Sequence, residues 1–128
     1  MHFKFTLFLT VFGLTSLANA VEFVQIGNKS YYFETKEYRN WYDAAQSCHQ
    51  INADLISFET YLEWHYINFY LWTNNIDDIY WTSGTDLAEQ GKHRWFETGN
   101  PIDLEIWYPG EPNNMGGDEH CDEIGSKR

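Results

Sequence analysis

From Glu97 to Glu119 the chain carries three prolines, four glycines and no helical or strand periodicity. Long stretches without regular structure are uncommon in compact domains and are usually functional. A chain with such a segment must build a rigid scaffold from its remaining residues, and the aromatic supply is ample for that. All six Trp, all nine Tyr and five of the nine Phe lie beyond residue 20. Aromatic side chains of this size dominate core burial.

The scaffold elements are legible one by one. Phe23–Ile26 and Ser30–Phe33 flank Gly27-Asn28 and read as a two-stranded hairpin. Asn40 is a helix cap with Asp43 three residues on, close to a capping box. Trp41, Ala44, Ala45 and Cys48 then recur at helical spacing, which points Cys48 into the core. Ala53–Phe58 reads as a short extended segment. Thr60 caps a second helix running to Leu71, with Leu62, Tyr66, Phe69 and Tyr70 along one side and Asn74-Asn75 as its stop. Ile79–Thr82, ending at Gly84, and Arg94–Phe96 are strand candidates. Trp95 and Trp107 are expected in the core. Strands, two helices, further strands and a long loop define an α+β fold.

Residues 1–20 stand apart. Lys4 precedes the apolar run Phe5–Leu14, and Ala18-Asn19-Ala20 is a small-residue cleavage pattern, so this segment reads as a secretory signal peptide cut after Ala20. The run is too short to span a bilayer core of roughly 30 Å. Residues 21–128 then form one domain of a secreted protein. With Lys4 set aside, seven of the eight Lys and Arg remain against 19 Asp and Glu, a net charge of about −12. Phosphate recognition needs clustered cations, so nucleic acid is not an expected partner. Anionic membrane surfaces are disfavoured for the same reason. Asn28-Lys29-Ser30 is an N-glycosylation sequon placed in the hairpin turn.

Within the aperiodic segment, Trp107-Tyr108-Pro109-Gly110-Glu111-Pro112-Asn113-Asn114 leads into Gly116-Gly117-Asp118-Glu119-His120-Cys121. Glu111, Asn113 and Glu119 bring oxygen-bearing side chains within nine residues. Calcium is a hard cation that takes carboxylate and amide oxygens, so this loop reads as part of a calcium site. The neighbouring Asp118, Asp122 and Glu123 read as solvated charge. The histidines show no zinc spacing with the cysteines, and His120-Cys121 is too little for a nucleophile and base. Nothing orients one carboxylate against another as a glycosidase requires, and no catalytic residue is assigned. Cys48 and Cys121 lie in a predicted oxidising compartment. They either bond to each other or each lacks its partner.

In order and spacing, these features resemble the C-type lectin-like domain, and most closely the small secreted C-type lectins of insects. The resemblance runs from about Phe23 to the C-terminus. It is carried by Cys48, by Tyr80-Trp81-Thr82-Ser83-Gly84-Thr85-Asp86, by Trp95, Gly99 and Trp107–Asn113, and by Glu119-His120-Cys121. It implies a cis bond before Pro112 that turns the Glu111 and Asn113 oxygens to one side. Glu111, Asn113 and Glu119 then bind Ca2+ and sugar hydroxyls together. Glu-Pro-Asn resembles the arrangement for mannose-type sugars, with galactose still open because insect members do not all obey the rule.

The resemblance also carries departures. Family members continue to a strand bearing Trp-Asn-Asp and to two further cysteines, the expected partners of Cys48 and Cys121. This sequence holds neither, so the expectation is an incomplete lectin domain lacking its last strands and part of its calcium shell. Asp86, Asn114 and Glu119 match accessory-calcium positions in part, but Gln90 and His120 stand where acids would help, and no accessory ion is expected. The implied function is calcium-dependent glycan recognition, with oligomers supplying avidity. The alternatives are a lectin-like scaffold for a protein partner and a non-functional truncated product.

Overall fold

The computed structural model describes residues 20–125. The proposed leader, apart from Ala20, and Ser126–Arg128 lie outside the described residues. Strands β1 (Val24–Ile26) and β2 (Lys29–Tyr31) form an antiparallel hairpin in the register Val24↔Tyr31 and Ile26↔Lys29. Gly27 takes the positive φ of 62° that this turn demands. Asn28 is exposed at the turn.

Helix α1 (Trp41–Gln50) starts where Asn40 accepts the Asp43 amide at 2.9 Å. Helix α2 (Tyr61–Thr73) starts where Thr60 accepts the Glu63 amide at 3.1 Å and ends at Asn74. Each cap satisfies an amide that the helix itself leaves unpaired. The apolar face of α1 is as expected, with Trp41 and Ala45 buried. That of α2 is not. Leu62, Tyr66 and Phe69 are exposed, while Ile67 and Leu71 are almost fully buried. The helix is apolar around most of its circumference, so its sequence periodicity does not choose a face.

The main sheet has the order β4-β3-β5, with β3 (Ile79–Thr85) central, β4 (Arg94–Trp95) on one edge and β5 (Cys121–Gly125) on the other. Strand β5 goes beyond the sequence reading. It pairs Ile79↔Gly125 and Tyr80↔Ile124, then shifts register before Thr85↔Cys121. Ala53–Phe58 runs extended without joining a sheet, although the Ser83 amide donates to the Ile56 carbonyl at 2.8 Å.

Phe58, Ile67, Leu71, Trp95 and Ile124 form the main core. Trp41, Ala45 and Leu55 form a second cluster, against which Cys48, Trp81 and Cys121 all pack. Indole N–H groups pin the two layers together, Trp41 to the Thr82 carbonyl at 2.8 Å and Trp81 to the Arg39 carbonyl at 2.9 Å. Among the described residues, no helix is long and apolar enough to cross a membrane.

Candidate functional site

Between Glu97 and Glu119 the described chain has a single isolated bridge, Arg94↔Pro101, and a 3-10 turn at Met115–Gly117. The loop is nevertheless tied at its base. The Tyr108 hydroxyl donates to the Gly125 carbonyl at 2.9 Å, which fastens the loop to β5. Trp107 meets the His93 ring edge-on at 5.0 Å and is half-buried rather than core. Trp95 is fully in the core.

The Glu111–Pro112 peptide bond is cis. Glu111 Oε1 accepts from Asn113 Nδ2 at 2.8 Å, and Oε2 accepts the Asn113 amide at 3.0 Å. The two side chains flanking Pro112 are therefore joined. A carboxylate offers about four lone-pair sites and an amide oxygen two. The pair thus keeps acceptor capacity on Glu111 and the whole of Asn113 Oδ1 for a cation. Glu119 sits one turn away. Its Oε2 accepts the Met115 amide at 2.8 Å, and its own amide donates to Asn114 Oδ1 at 3.1 Å. Asn114 holds the left-handed φ of 48° that starts the turn. The structure thus makes two adjoining clips, Glu111–Asn113 and Asn114–Glu119, lining one broad cleft. All three expected ligands are exposed. Two carboxylates and an amide oxygen are a donor set that suits a hard cation.

Beneath the clips lies a polar network that sequence reasoning read differently. Asp86 is buried and accepts the Gly91 amide at 2.7 Å, with His120 Nδ1 at 2.8 Å and His93 Nε2 at 3.6 Å. His93 Nδ1 lies 2.8 Å from Asp122 Oδ1, and only a tenth of the Asp122 side chain is exposed. Asp122 is therefore a buried acid paired with His93, in contrast to the solvated charge expected of it. Asp118 and Glu123 are exposed, as expected. Burial pushes the Asp86 carboxyl up, but the Gly91 amide and the two imidazoles outweigh it and hold the group below its ordinary value. The Asp86 hydrogen bond raises His120. Burial raises Asp122, against the pull of His93. Asp86 stands in this network through contacts with two histidines and an amide. No local spacing could have signalled the network, because its members are brought together by β3, β5 and the loop base.

Cys48 and Cys121 are not bonded to each other, and both are half-buried. Burial pushes both up from the ordinary thiol value, with the charges of Asp54 and Glu97 adding to the effect at Cys48.

Residues 37–128 match the family model described as the Lectin C-type domain. The chain is 37% identical over 103 residues to C-type lectin 37Da of Drosophila melanogaster, covering 80% of this chain and 55% of that one. It is 33% identical over 93 residues to C-type lectin domain family 17, member A, of Homo sapiens, covering 73% of this chain and 23% of that one. The chain therefore spans only part of these relatives. Among solved structures it is similar to the carbohydrate-recognition domain of the human scavenger receptor C-type lectin, with a TM-score of 0.70, 23% identity and 80% and 79% of the two chains covered. It is also similar to the cow CD23 domain solved in the presence of GlcNAc2Man3 oligosaccharide, with a TM-score of 0.55, 27% identity and 66% and 62% covered.

Proposed function

The chain belongs to the C-type lectin domain family, and on that premise we propose that it is a secreted, calcium-dependent carbohydrate-binding protein. Glycan recognition, on microbes or on self glycoproteins, is its role in this reading, and it catalyses nothing. The leader 1–20 is removed after Ala20, residues 21–128 carry the lectin domain, and Asn28 bears an N-glycan. Cys48 and Cys121 are the positions at which the family resemblance places disulfides.

The observation that carries the reading is the Glu111–Asn113 pair, joined at 2.8 Å across Pro112. Glu111, Asn113 and Glu119 hold the ion, which when bound supplies a Lewis-acidic centre that takes sugar hydroxyl oxygens. The chain's own contribution is orientation. A sugar hydroxyl both donates and accepts, so carboxylate acceptors beside an amide donor dictate which hydroxyl geometry fits. Carboxylates at 111 and 119 with an amide at 113 favour the mannose-type arrangement.

Retention on immobilised mannose in calcium, with release by EGTA, tests the proposal. Replacing Glu111→Gln together with Asn113→Asp should shift retention toward immobilised galactose. Unchanged selectivity in that variant would overturn the role assigned to the triplet. A second reading, a scaffold for a protein partner, draws on the exposed Leu62, Phe69 and Trp72 of α2. Absence of calcium-dependent retention on either sugar would favour it.

A further inference from the structure

We propose that His120 is a positioning residue of the calcium loop. Its imidazole fixes the turn from Asn114 to Glu119 onto the main sheet, and so holds Glu119 ready for the cation. This role rests on the calcium reading of Glu111, Asn113 and Glu119. His120 itself need touch neither ion nor sugar.

The turn closes on itself but has little else to hold it. The Gly117 amide donates to the Asn114 carbonyl at 2.9 Å, the Glu119 amide to Asn114 Oδ1 at 3.1 Å, and the Met115 amide to Glu119 Oε2 at 2.8 Å. Residues 115–119 are all exposed. A Cβ placed on Gly116 or Gly117 would meet no atom within 4 Å beyond its chain neighbours. Asn114, Gly116 and Gly117 all stand at positive φ. Glycine loses more conformational freedom on ordering than any other residue. Such a turn keeps one shape only when a group outside it holds it.

His120 makes that link. Its ring donates through Nε2 to the Gly117 carbonyl at 3.2 Å and through Nδ1 to Asp86 Oδ1 at 2.8 Å. A hydrogen bond to a carboxylate is among the stronger ones. Asp86 is a fixed post, buried directly after β3, with its Oδ2 accepting the Gly91 amide at 2.7 Å. The His120 backbone makes the same join. Its carbonyl accepts the Thr85 hydroxyl at 2.6 Å and the Asp86 amide at 3.1 Å, and Cys121 then pairs with Thr85. The Glu111–Asn113 pair closes through its own two hydrogen bonds. His120 therefore serves the Glu119 half of the site.

The test separates the two ends of the ring. Asparagine places its amide nitrogen about where imidazole places Nδ1, so His120→Asn keeps the Asp86 bond and loses the Gly117 bond. The buried acid stays partnered, and the melting temperature should stay within about 4 °C. Losing a group that orients a metal ligand weakens metal sites about 10–100-fold. Calorimetric calcium titration of the secreted chain should therefore show affinity at least about tenfold weaker in the variant. Solvent exchange measured by 15N NMR in EGTA should be about fivefold faster at the Met115 and Glu119 amides, the factor that one ordinary net hydrogen bond is worth. Exchange at the Asn113 amide should not change. Undiminished calcium affinity, or unchanged exchange at both turn amides, would overturn the role. So would exchange quickened equally at Asn113, which marks a general loosening. If the unmodified chain takes no calcium, the lectin reading fails, and the exchange rates alone decide whether His120 holds the turn.

Discussion

A single methyl group at position 84 tests the close packing that holds the loop base to the sheet. Gly84 lies in β3 opposite Trp95. A Cβ there would come 2.3 Å from Asp122 Oδ2 and 2.9 Å from both Asp122 Cβ and Ile102 Cδ1. Ordinary carbon–oxygen contacts run no closer than about 3.3 Å, so Gly84→Ala forces Asp122 to move by about 1 Å. Asp122 cannot yield cheaply, because it is bonded to His93 at 2.8 Å in a buried site. Overpacking costs about 1–3 kcal/mol, and a disturbed hydrogen bond to a charged group about 1.5–3 kcal/mol more. We therefore expect about 3–4 kcal/mol of destabilisation, a large share of the total stability of about 5–15 kcal/mol typical of a domain. Equilibrium urea unfolding followed by tryptophan fluorescence measures it, and the m-value should stay constant. In an Asp122→Ala background the same change should cost at least about 1 kcal/mol less, since coupled neighbours depart from additivity. A loss below about 1 kcal/mol, or full additivity, would refute the reasoning.

Three further predictions follow from the scaffold and the site. Ile67→Ala should cost about 2–5 kcal/mol in urea unfolding, whereas Phe69→Ala on the exposed side of α2 should cost less than about 1 kcal/mol; equal costs would contradict the face assigned to the helix. Glu63 accepts from Lys29 at 3.0 Å, Tyr31 at 2.8 Å and the Glu59 amide at 3.0 Å. Burial pushes its carboxyl up, but these donors outweigh burial and hold it below the ordinary value. A lowered folded pKa contributes stability above the unfolded value of about 4.3 and loses it as pH falls through the folded one. The gap in melting temperature between the unmodified chain and Glu63→Gln should therefore be widest near neutrality and close in acid, and a gap that persists in acid would contradict the assignment. Trp41→Phe should cost about 1–3 kcal/mol, since it leaves the buried Thr82 carbonyl without its indole donor; a neutral result in thermal melts would deny the indole its pinning role.

The parts of the molecule that were legible in the sequence are those fixed by local chemistry. Asn40 and Thr60 cap the helices because a short polar side chain satisfies an amide three residues on. Gly27-Asn28 marks the hairpin because a glycine accepts the positive φ of the turn. Parts fixed by distant residues were illegible. Cys121–Gly125 contains two acids and a glycine and lacks a strand's composition, and it becomes β5 through its pairing with β3. Asp122 sits in a run of charge that reads as solvated, and its burial depends on His93, twenty-nine residues earlier. The face of α2 was ambiguous because tyrosine, leucine, phenylalanine and tryptophan surround the helix. In the site, Glu111, Asn113 and Glu119 lie close in sequence and could be read as candidates together, whereas the contact of Asn114 with Glu119 emerges only in the structure.

The central claim is that Glu111, Asn113 and Glu119 receive calcium and, through it, a sugar. The most direct measurement follows the Asn113 side-chain amide by 15N-resolved NMR during a calcium titration and then a mannose titration. This amide donates to Glu111 Oε1 at 2.8 Å. Its resonance should shift on calcium addition, shift again with mannose, and return on EGTA. A resonance unmoved by calcium, or moved by calcium but indifferent to both mannose and galactose, would contradict the account.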